Sequence, residues 1–124
     1  MTITHPLRIG YEICSLLQGS EILAEHVRGR IYAYTSKAEA KLPCIIYEGI
    51  SVDYEENKDG AMPSEVTIQL LVNTTDYPTG ITISEEVVDV LTEHEGIVPI
   101  SASCDYDVAA MMFTHTLTFK VYIQ

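Results

Sequence analysis

Four histidines, three cysteines and eighteen acidic residues are the side chains in this 124-residue sequence that could carry chemistry. His5, His26, His94 and His115 are scattered, with no pair at metal-ligand spacing. Cys14, Cys44 and Cys104 are an odd number and form no C-x-x-C. Each has apolar neighbours, in YEICSLL, LPCIIY and SASCDY, so each is expected to be a buried small hydrophobe. No G-x-S-x-G, phosphate-cradling G-x-x-x-x-G-K-[ST], G-x-G-x-x-G or H-E-x-x-H occurs. The expectation is a protein that is not an enzyme, with no catalytic residue, no metal ligand and no cofactor.

Three places invite a second reading. Glu48 interrupts an apolar strand face, and a buried unpaired carboxylate costs several kcal/mol, roughly. It must therefore be exposed, paired, for instance with Arg30, or re-aimed by a bulge at Gly49. His115 lies on the apolar face of the last strand, as a hydrogen-bonded core or sheet-end histidine or as a base or ligand. The stretch Asp53, Glu55, Glu56 and Asp59 has the hard oxygens a divalent cation prefers, but it lacks the D-x-D-x-D-G order and distal Glu of a calcium loop, and Lys58 intrudes. It reads as a solvated loop tip.

Composition narrows the class. Seven Lys plus Arg against eighteen Asp plus Glu give a formal charge of −11, and 47% of residues are apolar. That is a globular composition, and the length suits one domain spanning 1–124. A basic footprint for nucleic acid is missing, so DNA is not expected to be bound specifically. No apolar run approaches the roughly 20 residues of a membrane span, and MTITHPLRIG lacks the pattern of a signal peptide. No membrane partner is expected, and the compartment expected is the cytoplasm.

The elements that must position these residues follow from periodicity. From Pro6 to Leu17 the apolar residues cover an arc of roughly 220° at 100° per residue, which predicts a helix buried on two sides or buried on one and used by a partner on the other. Gly19-Ser20 ends it, and SEILAEHV is compatible with another helical turn. RIYAY reads as a short strand, followed by a loop at 36–41. Along the next strand Cys44, Ile46, Ile50, Val52 and Tyr54 share one face, and Val66, Ile68, Leu70 and Val72 share a face of the third. EENKDGAMP between them is a long polar hairpin tip with an Asp-Gly turn signal. ITISEEVVDVLTEHEG is a helix capped at Thr82 or Ser84 and stopped by Gly96. Two alternating strands close the chain, one with Val98, Ile100, Ala102, Cys104 and Tyr106 inward, the other with Phe113, Leu117, Phe119, Val121 and Ile123 inward. The predicted fold is α+β, a mostly antiparallel sheet with two helices packed on one face, in the order α-β-β-β-α-β-β.

An N-terminal helix, a V-x-G-R-I-Y strand (Val27, Gly29, Arg30, Ile31, Tyr32), a loop and L-P-C-I-I-Y (Leu42 to Tyr47) resemble the phage tail-completion, or tail-terminator, family. The third strand, the second helix and the closing strands match that layout too, although Cys44 stands where the pattern more often has an aromatic. The resemblance implies a structural component of a phage or prophage tail that assembles in the cytoplasm and ends in the virion tail. It implies a homo-oligomeric ring, commonly of six subunits, capping the tail tube and joining it to the head. The implied partners are other copies, tail-tube proteins and head-completion proteins, with DNA at most passing through the lumen. An acidic lumen suits that passage, because it repels phosphates. Eight Tyr and no Trp favour interfaces as well. The interface candidates are Tyr11 on the two-sided helix and Asp53, Glu55, Glu56 and Asp59 on the hairpin. The competing expectation is a small cytoplasmic ligand-binding or adaptor α+β domain.

Overall fold

The computed structural model describes residues 5–35, 41–58 and 60–123. After a 3-10 turn at Pro6–Arg8 come helices α1 (Ile9–Gln18) and α2 (Glu21–Val27), then strands β1 (Ile31–Ala33), β2 (Cys44–Asn57) and β3 (Gly60–Thr74). Helix α3 (Tyr77–Thr92) follows, and β4 (Ile97–Asp107) and β5 (Met112–Tyr122) complete the chain. The strands form one sheet in the order β1-β2-β3-β5-β4.

This corrects the predicted order α-β-β-β-α-β-β with two helices. Among the described residues there are three α-helices, and the sheet is mixed, because β1 runs parallel to β2 while the other pairs are antiparallel. The extra helix has a local cause. Ser20 does not merely end α1: its Oγ accepts a hydrogen bond from the Leu23 amide at 3.2 Å, the N-cap of a new helix. That helix stops where Arg28 (φ 52°) and Gly29 (φ 76°) turn left-handed. The strand order also departs from a simple meander. The β4–β5 hairpin lays β5 against β3 and leaves β4 on the outer edge.

The core lies between the helices and one face of the sheet. Val66, Ile68, Leu70 and Val72 alternate along β3 and are fully buried. Ile9, Ile13 and Leu17 of α1 and Ile83, Val87 and Leu91 of α3, each set at i, i+4, i+8, meet them from above. Burying each such aliphatic side chain is worth about 1.5–3 kcal/mol. Helix α3 begins earlier than its sequence suggests. Asp76, not Thr82 or Ser84, is the N-cap, accepting from the Thr79 amide at 2.9 Å, with Pro78 in the first turn.

Strand β2 changes face midway. Ile45 and Tyr47 pair across from Val72 and Leu70 and point into the core, so the expected inward set beginning at Cys44 and Ile46 is off by one residue there. A bulge between Glu48 and Ser51, with Gly49 at φ 64°, then shifts the phase so that Ile50 and Val52 pack on the core. Both registers bury apolar atoms, because CIIY is apolar at every position. The expected polar loop between β2 and β3 is mostly strand, with pairing that continues to Asn57 opposite Gly60. Of the loop expected at 36–41, residues 36–40 lie outside the described residues.

Candidate functional site

Glu48 lands across the sheet from Gln69, on the face turned away from the helices, and is half-exposed. The bulge at Gly49 re-aims the chain beside it. Arg30 is engaged elsewhere, donating from Nε to the Pro43 carbonyl at 2.9 Å and from Nη2 to the His26 carbonyl at 3.3 Å. It thereby ties the end of α2 to the start of β2 and holds β1 in its parallel place.

His115 is buried on the helix-facing side of β5. Register pairs it with Cys104 on β4, and the Cys104 Sγ stands 3.8 Å from its Nδ1. The Tyr77 ring stacks at 5.9 Å and the Gly80 backbone closes the other side. A Cys–His pair next to a helix N-terminus has the parts of an activated thiolate. Its electrostatics run the other way. Burial lowers the imidazole's pKa, while burial and the neighbouring Asp105 raise that of the thiol. Both groups are therefore held neutral, and the arrangement is that of a packed sheet end. Cys104 itself is exposed, which corrects the expectation that all three thiols are buried; Cys44 is buried and Cys14 half-buried.

Tyr11 projects from α1 with 68% of its surface exposed, beside Leu7 at 71%. With Gly10, Ala33, Tyr34, Tyr47 and Ile50 they line a groove of about 180 Å³. That is below the roughly 300–1,000 Å³ of ordinary small-molecule sites. Arg8 lies 6.0 Å from the Tyr11 ring centroid. Helix α1 thus buries one side in the core and offers the other.

Asp53, Glu55 and Glu56 sit along the outer half of β2, all exposed, and Asp59 lies outside the described residues. They belong to a two-stranded ribbon that outruns the helices. Tyr54 opposite Pro63 and Glu55 opposite Met62 have no layer over them, and Tyr54 and Met62 remain more than half exposed. Among the described residues no group of three or more His, Cys, Asp or Glu could hold a metal ion. Tyr11 lines the groove on α1, and Asp53, Glu55 and Glu56 are not among the groove's lining residues.

A further surface escaped the sequence reading. β4 was expected to bury Val98, Ile100, Ala102, Cys104 and Tyr106, yet of its residues only Ile97 is buried. As an edge strand that α3 covers only in part, it leaves Val98 and Ile100 40% and 50% exposed. The β4–β5 turn adds Val108 and Met111, both strongly exposed. Its position is fixed by register. Asp107 pairs with Met112 and Phe113 with Thr74, so this turn stands at the opposite end of the sheet from the acidic ribbon. Among the described residues no helix is long and apolar enough to cross a membrane.

No protein-family model and no curated protein matches this chain. Among solved structures, a chain of the virion of a native gene transfer agent (GTA) particle is similar in fold, with a TM-score of 0.70 over 90% of each chain at 16% sequence identity. That likeness shows the fold.

Proposed function

We propose that this protein is a structural component of a phage-like virion, acting as a tail-completion protein that forms a ring at the end of the tail tube and joins it to the head. The observation that carries the reading is the fold shared, over 90% of both chains, with a chain of the gene transfer agent virion. The V-x-G-R-I-Y and L-P-C-I-I-Y segments support it: Val27 ends α2 rather than lying in a strand, but Ile31-Tyr32 of the first and C-I-I-Y of the second are the neighbouring β1 and β2. So does the polarity of the molecule. An apolar turn at one end of the sheet and an acidic ribbon at the other give a subunit two unlike faces, as a part between two different partners needs. The role asks no catalysis of the chain. Exposed Asp53, Glu55 and Glu56, placed toward a lumen, would repel passing DNA phosphates.

The test is a deletion in a strain that produces particles. Electron microscopy is expected to show unjoined heads and tubes of uncontrolled length, with wild-type morphology restored by the gene in trans. Mass spectrometry of purified wild-type particles is expected to find the chain at a few copies per particle. Normal particles after deletion, or particles lacking the chain, would sink the reading.

A further inference from the structure

Among the described residues the sheet has two edges that no further strand covers, and they are unlike. On the β1 flank lie the groove at Leu7, Tyr11 and Tyr34 and the basic residues Arg8, Arg28 and Arg30. On the β4 flank lie exposed Ile100 and two exposed aspartates, Asp105 and Asp107, and β4 contains no Lys or Arg. Of the remaining described basic residues, Lys120 is paired with Glu65 at 3.3 Å on the open sheet face, Lys58 belongs to the ribbon tip, and Lys41 precedes β2. In a chain of charge −11, much of the positive charge is thus gathered on one flank.

The two flanks also match in height. Asp105 pairs with Thr114, Thr114 with Asn73, and Asn73 with Cys44. Arg30 precedes Ile31, the partner of Ile45, and so stands on the row of Cys44 and Asp105. Lower down, Ala33 shares a row with Ala102, through Tyr47, Leu70 and Leu117. Just below that row lie Tyr34 and Ile50 of the groove on one flank and the bulged Ile100 on the other. Strand direction agrees as well: β1 runs with β2 and β5, and β4 runs against them, so copies in the same orientation present antiparallel edges.

We infer that the occupant of each flank is a second copy of this chain, joined in one direction, with Ile100 of one copy at the Leu7–Tyr11–Tyr34 groove of the next and Asp105 and Asp107 facing its Arg28 and Arg30. Such a joint is heterologous: it leaves a free flank at each end of a dimer and closes only as a ring. The inference rests on the ring reading above and adds which surfaces make the ring. It also covers two edges that, left bare, invite unspecific pairing.

The experiment is sedimentation of the purified full-length chain over a concentration series at low and high salt. Wild type is expected to associate beyond a dimer, less so at high salt. Asp105→Arg and Ile100→Glu, both at exposed positions, are each expected to weaken association at least about tenfold. Adding Arg28→Asp to Asp105→Arg restores opposite charges at every joint and is expected to restore association. If wild type associates but ignores these substitutions, the joint is elsewhere and the inference falls while the ring reading stands. Association that halts at a dimer overturns it in favour of a β4-to-β4 pair. A wild-type chain that stays monomeric at every concentration overturns it too, and the ring reading is then decided by the particle experiment.

Discussion

His115 lies so close to the backbone of Gly80 that a β-carbon at Gly80 would stand 2.6 Å from its Cε1 and 2.7 Å from its Nδ1. The ring of β5 and the first turns of α3 are therefore fitted to each other through the absence of a side chain, and the third neighbour, Thr74 Oγ1 at 3.0 Å, has no room to give because it donates to the Asp76 carbonyl at 2.8 Å.

Gly80→Ala is expected to destabilise by about 1–3 kcal/mol, the usual range of overpacking, although alanine in an exposed helix would stabilise by about 1 kcal/mol. Urea denaturation checks it. The His115→Ala background should absorb most of the loss, and simple additivity of the two substitutions would show that the contact is not the cause.

The imidazole of His115 is held below its ordinary pKa by burial. The unfolded chain then binds more protons than the folded one as pH falls through about 6.5, so acidification removes stability. Above that range the contribution is constant. A melting-temperature profile from pH 5 to 8 is expected to fall at its acid end, and His115→Gln is expected to flatten that part. An identical slope in the variant would assign the fall to carboxylates.

The face switch in β2 rests on one residue. Gly49→Ala places a side chain at φ 64°, which costs about 1–2 kcal/mol, while its nearest neighbour, the flexible Gln69 side chain at 3.3 Å, can move. Deleting Gly49 is a different matter. Ile50 then stands opposite Ile68, the unbroken alternation from Tyr47 keeps Ile50 and Val52 in the core, and the chain is expected to keep its cooperative unfolding transition by circular dichroism.

Thr114 donates from Oγ1 to the buried Asn73 Oδ1 at 2.7 Å. Thr114→Val is expected to cost about 1–3 kcal/mol by leaving that oxygen unpaired. Thr114→Val combined with Asn73→Leu should recover most of it, as chemical denaturation would show.

What could be read from the sequence divides along physical lines. The alternation of Val66, Ile68, Leu70 and Val72 against polar residues marked the central strand, because one face is fully buried and the other is not. The same alternation in β4 misled: Val98, Ile100 and Tyr106 look inward by period, and only the strand order puts them on an edge. CIIY could not be phased, having no polar residue to mark a face. The meeting of His115 with Cys104 and Gly80 needed the β4–β5 register and the docking of α3, neither of which one segment contains. The exposure of Tyr11 could be read because its helix is apolar on too wide an arc. The exposure of Ile100 and Asp105 could not, because an edge is a property of the whole sheet.

The β3–β5 seam has a consequence for the order in which the molecule forms. Each hairpin, β2–β3 and β4–β5, can zip from its own turn, but the two meet only along the β3–β5 pairs, among them Asn73 with Thr114, 41 residues away. Closing that loop costs chain entropy before any core contact repays it. The seam, with α3 docking over it, is thus the natural bottleneck of folding. Substitutions along it should slow folding, whereas those on the acidic ribbon should change mainly the rate of unfolding.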